Sequence, residues 1–207
     1  MYEQQWLHGT DIYFEEWQVP PPAPSHKPGI LAHSVVFLTA DLELAKGAGK
    51  LRGGLCAARL KHGFNILDTS RESTKLEELR VATREKAIGS RCYFTSDGQI
   101  WFEAWQTGDV MRFATIDPYE GIYLQNMAAL VRSGQRTQAA ISAFIEIQNL
   151  TRSWIEELAQ TAKELGFHGL IGHEMDRFRP SGPTPCKVLF VLSQEILTKP
   201  KWITVPK

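Results

Sequence analysis

A histidine, a bare glycine backbone and a hydroxyl stand together in Trp6-Leu7-His8-Gly9-Thr10. In an extended conformation Leu7 and Gly9 alternate with His8 and Thr10, so His8 points out of one face of a sheet. Gly9 has no Cβ and lets a ligand approach the main chain closely. Together these groups make a grip suited to a nucleotide. The run Val35-Val36-Phe37-Leu38-Thr39-Ala40-Asp41 has the same form: apolar first, then small or polar at the end that faces a ligand. Other reactive atoms form no recognisable set. His168, His173, Glu174 and Cys186 match no zinc spacing, and no local signature pairs a cysteine with a histidine for nucleophilic catalysis. The glycine-rich stretch Gly47 to Gly54 lacks the phosphate-loop spacing and does not directly follow a strand, which excludes a triphosphate site of that kind.

The elements that carry these residues follow from local pattern. Trp6–Thr10 reads as a first strand, with a turn of helix over Asp11 to Glu16 capped by Thr10 or Asp11. Val19 to Gly29 holds five prolines, which forbid both ladder donation and helix continuation, so it is a loop. Ser34 to Ala40 is a second strand. Asp41 caps a helix through Leu42, Leu44, Ala45 and Lys46, which Gly47-Ala48-Gly49 stops. Leu55 to Leu60 reads as a third strand, and Phe64 to Asp68 as a short extended piece ending at a carboxylate. Thr69 to Ala87 favours helix, with Leu76, Leu79 and Val81 facing inward. Gly89 to Gln106 is a hairpin or aromatic insertion around a Ser-Asp-Gly turn. Gln135 to Leu165 has apolar residues at helical spacing, as one helix or two broken near Asn149-Leu150-Thr151.

The chain has 207 residues, 43% hydrophobic and 22% charged, which suits a folded chain with a real core and a single domain over 1–207. Twenty-three basic residues balance 23 acidic ones, so no global field draws it to nucleic acid or membrane. Cys56, Cys92 and Cys186 are odd in number and widely spaced, the pattern of free thiols in a reducing compartment. The N-terminus has neither the basic start nor the apolar core of a signal peptide, and no window is apolar enough to span a membrane. A cytoplasmic location is expected.

The His-Gly-Thr strand, the Pro-rich loop and the Phe-Leu-Thr strand followed by an Asp-capped helix resemble the ADP-ribosyltransferase fold, found in poly-ADP-ribose polymerases and rifampicin ADP-ribosyltransferases. Near the C-terminus, Glu164-Leu165-Gly166-Phe167-His168-Gly169-Leu170-Ile171 and then Val188 to Ile196 are similar to the closing strands of that family. The resemblance covers about residues 5–68 and 160–197. It implies an α+β protein with a split β-sheet core and a helical and aromatic insertion at about 75–150.

The resemblance also implies NAD as co-substrate and transfer of its ADP-ribose to an unidentified acceptor. Breaking the nicotinamide–ribose bond builds positive charge on the ribose, so the site must hold the carboxamide, orient the ribose hydroxyls and offer a carboxylate. By this carry-over His8 bonds the adenosine ribose, the backbone of Gly9 holds the carboxamide, and Thr10 shapes the strand end. Phe37 stands where the family has a tyrosine stacking near nicotinamide, and Thr39 where a small polar residue lines the pocket. The glutamate that opens the family's last strand falls on Lys187 or Cys186, so the carboxylate must come from elsewhere. Asp68 matches the rifampicin-type position best, Glu174 is second and Glu120 third. Asp68 also fits a helix N-cap with Thr69 and Ser70. Three rival activities keep the fold: an NAD or ADP-ribose binding module without turnover, an NAD glycohydrolase, and an RNA 2′-phosphotransferase.

Overall fold

The computed structural model describes residues 2–22, 29–48, 53–87, 126–127, 129–131, 133–176, 180 and 184–206. The expected aromatic hairpin, Cys92 and Glu120 lie outside the described residues. Among those described, seven strands form one mostly antiparallel sheet and the fold is mixed α+β: β1 (Trp6–Thr10), β2 (Val36–Thr39), β3 (Gly54–Ala58), β4 (Ile66–Asp68), β5 (Gly169–Asp176), β6 (Thr184–Val191) and β7 (Lys201–Thr204). Their order across the sheet is β4-β5-β6-β2-β1-β3-β7, with β4 parallel to β5 and every other pairing antiparallel. Helices among the described residues include α1 (Leu42–Ala48), α2 (Thr74–Ala87) and α3 (Gln138–Glu164).

The chain divides into two compact units. The first comprises Met1–Pro22, Ser34–Leu79 and Ala159–Lys207 and contains the whole sheet. Its core on one sheet face is built from Trp6, Val36, Leu38, Cys56, Ile171 and Leu189, roofed by Trp17, Leu60, Ile196 and Leu197 from connecting segments. The second unit comprises Ala23–His33 and Arg80–Leu158. There Asn149 clips an extended segment to α3: its Nδ2 donates to the Gly29 carbonyl and its Oδ1 accepts the Leu31 amide, both at 2.7 Å. Arg152 Nη1 adds a bond to the Leu31 carbonyl at 2.9 Å, and Glu156 pairs with His33 at 3.2 Å. Residues 149, 152 and 156 fall on one helical face.

Local signals set most element ends. Asp41 Oδ1 accepts the amides of Glu43 and Leu44, both at 3.0 Å, and so caps α1 as expected. The α2 helix begins at Thr74, later than the expected Thr69, because Ser73 supplies the cap through its bond to the Leu76 amide. Leu76, Leu79 and Thr83 are buried, whereas Val81 is exposed. At 100° per residue Val81 sits about 200° round from Leu79, so it cannot share that face. The α3 helix runs unbroken through 149–151. Residues 11–16 are not helical: Thr10 Oγ1 takes the Ile12 amide, and the Phe14 carbonyl accepts the Trp202 indole at 2.9 Å. The β2 strand is shorter than expected, and β3 ends at Ala58, with Leu60 making only an isolated bridge to Leu197.

Candidate functional site

The sheet comes closest to splitting between β1 and β2. The β1 strand pairs with β3 at every residue from Trp6 to Thr10, and β2 pairs with β6 from Val36 to Thr39. Between β1 and β2 the ladder registers only at Leu7–Thr39. Beyond that pair the ends carrying Gly9, Thr10, Val36 and Phe37 are no longer laddered to each other, and the His8 side chain fills in. Its Nδ1 lies 2.8 Å from the Phe37 carbonyl oxygen.

A carbonyl only accepts, so Nδ1 carries the proton in this bond. Burial lowers the His8 pKa from its ordinary value, and the Phe37 carbonyl offsets part of that effect. His8 is thus a neutral imidazole with Nε2 as an acceptor, the form that takes a hydrogen bond from a sugar hydroxyl. Two rings steady it edge-on: Trp17 with centroids 5.6 Å away and Phe14 at 6.1 Å. Both come from the segment after β1, which is tied down by Trp17 Nε1 donating to the Thr198 carbonyl at 2.9 Å and by the Val19 amide on Gln194 Oε1 at 3.1 Å.

Strand alternation places the sequence-derived residues on two faces. His8 and Thr10 lie on the face of Trp6 and Leu38, whereas Gly9, Phe37 and Thr39 lie on the other. The Phe37 ring packs edge-on against its cross-strand partner Phe190, centroids 5.1 Å apart. His8 and Phe37 meet through the Phe37 backbone; their rings do not share a surface. Thr39 is 5% exposed, and its hydroxyl donates to the Lys187 carbonyl at 2.8 Å and accepts the Asp41 amide at 3.0 Å. That hydroxyl ties β2 to β6 and to the start of α1.

The carboxylates fall apart in the same way. Asp68 shares the His8 face, and a cross-strand row runs from Asp68 through Ile171 and Leu189 to Leu38, beside Thr39, which pairs with Leu7 next to His8. Four strand spacings of about 4.8 Å put Asp68 and His8 roughly 19 Å apart. Ile171, Leu189 and Leu38 are 0%, 0% and 1% exposed, so core fills the path. Burial by itself would raise the Asp68 carboxyl, but hydrogen bonds from the Ser70 hydroxyl (2.5 Å) and amide (3.1 Å), with the charges of Lys187 and Arg71, outweigh it and hold the pKa below its ordinary value. Asp68 therefore closes β4 in a local turn, five residues before Ser73, the cap of α2. Glu174 lies on the Phe37 face, as cross-strand partner of Cys186. Lys187 lies on the His8 face, beside His173.

Sequence reasoning missed Phe14 and Trp17. The signal was present in the aromatic spacing after His-Gly-Thr, read there as a turn of helix. Among the described residues no three His, Cys, Asp or Glu side chains cluster to hold a metal ion, and no helix is long and apolar enough to cross a membrane. No family model, curated protein or solved structure matches this chain.

Proposed function

We propose that this chain binds NAD at the split between β1 and β2 and transfers its ADP-ribose to an acceptor, as an ADP-ribosyltransferase-like protein. The observation that carries this reading is the neutral His8 at the opening of the ladder, its Nδ1 committed to the Phe37 carbonyl and its Nε2 left as an acceptor for a ribose hydroxyl. Gly9 and Phe37 supply the adjoining bare backbone and ring on the opposite face. On this reading Glu174, which shares the face of Phe37, is the carboxylate for the reaction. Its task is to stabilise the developing ribosyl cation or to orient the acceptor.

One observation favours a second reading, binding without turnover. Neither candidate carboxylate is a cross-strand neighbour of His8 or Phe37, and Lys187 opens the region where the family places glutamate. Incubation with NAD while free nicotinamide and thermal stability are followed separates the two. Release that disappears in His8→Ala supports transfer or hydrolysis. A thermal shift without release supports the binding module, and the absence of both signals overturns NAD as the ligand.

A further inference from the structure

We propose that Lys187 and His173 form a binding site for a phosphoryl anion, on the sheet face opposite Phe37 and Glu174. The two are direct cross-strand partners on β6 and β5, so their side chains rise from the same face with Cβ atoms about 5 Å apart. Both are half-buried. Among the described residues neither side chain makes a hydrogen bond or ion pair. The acidic neighbour on that face is Asp68, whose cross-strand partner Ile171 lies two residues before His173.

Asp68 attracts Lys187 without absorbing it. Its Oδ1 already accepts two hydrogen bonds from Ser70, and its Oδ2 faces Arg71 Nε at 3.8 Å. Lys187 and Arg71 both converge on this one carboxylate, with His173 on the strand between. Among the described residues, two cations, Lys187 and Arg71, thus bear on the one carboxylate of Asp68, while Glu174 lies on the other face. Beside Lys187 and His173 on the same face Ile171 and Leu189 are fully buried, an apolar flank next to which charge-assisted hydrogen bonds are stronger than in bulk water. A tetrahedral dianion offers each donor its own oxygen. This assignment does not depend on NAD binding at His8.

The test is an NMR titration of the His173 imidazole in ¹⁵N-labelled protein against pH, in chloride at fixed ionic strength, then with inorganic phosphate and separately with ADP. An anion bound beside the ring favours its charged form. The His173 midpoint is expected to rise by roughly half a unit or more with phosphate, to do so in Lys187→Arg, and to stay unmoved in Lys187→Met. A rise with both probes assigns a site open to esterified phosphate, and a rise with phosphate alone assigns a free-anion site. No rise with either, or an undiminished rise in a folded Lys187→Met variant, overturns the proposal.

Discussion

The His8 imidazole donates to the Phe37 carbonyl at 2.8 Å while the Phe37 ring turns to the opposite face of the sheet. One side chain thus replaces a ladder bond where β1 and β2 diverge, with Nδ1 as the donor. Removing the donor strands a carbonyl. His8→Ala should cost about 1–3 kcal/mol in urea unfolding. His8→Asn, whose amide can reach the same carbonyl, should recover most of that loss yet still abolish nicotinamide release, because nothing replaces Nε2.

The same histidine sets a pH dependence. Its folded pKa is lowered from 6.5, so below about pH 6.5 the unfolded chain binds a proton that the folded chain refuses. The His8 contribution is fully present above 6.5 and is lost as pH falls toward the folded value. Unfolding free energies measured from pH 7.5 to 5 should decline in the wild type and decline less steeply in His8→Asn.

Glu174→Gln and Asp68→Asn should separate chemistry from structure. On the proposed reaction the first lowers nicotinamide release by about 100-fold or more. Asp68→Asn should leave release near the wild-type rate. The Asp68 carboxyl is held below 3.8, so its contribution is present above that pH and lost as pH falls through the lower folded value. Acid unfolding curves of the two variants check this.

Cys56 is fully buried, and burial pushes its thiol up to about 12. It should resist alkylation at pH 8 and react only as fast as the protein opens. Peptide mapping after timed labelling, with and without urea, reads this directly.

Gly54 sits where an added Cβ would lie 2.4 Å from the Pro206 ring and 2.7 Å from the Trp202 ring. Gly54→Ala must therefore displace the segment that carries β7, and a lowered melting temperature with altered tryptophan fluorescence is expected. Thiol labelling of Cys56, which pairs with Trp202 across β3 and β7, should accelerate in the same variant.

Local chemistry alone decided a good deal of this protein. Asp41 before an apolar helical run fixed the start of α1, since a short carboxylate satisfies orphan amides whatever lies around it. The alternation in Trp6–Thr10 set β1, and the 3.6-residue spacing set the long helix α3. Tertiary structure decided the rest. Cross-strand register put His8 and Phe37 on opposite faces, and it separated Asp68 from His8 by a row of core side chains. Register depends on which strands become neighbours and how they align, and a shift of one residue exchanges the faces of every side chain. Non-local partners also held Asp11 to Glu16 out of a helix, because Trp202 takes the carbonyl of Phe14. A residue's type names the chemistry it can do; its partner across the sheet decides which other residues it can do it with.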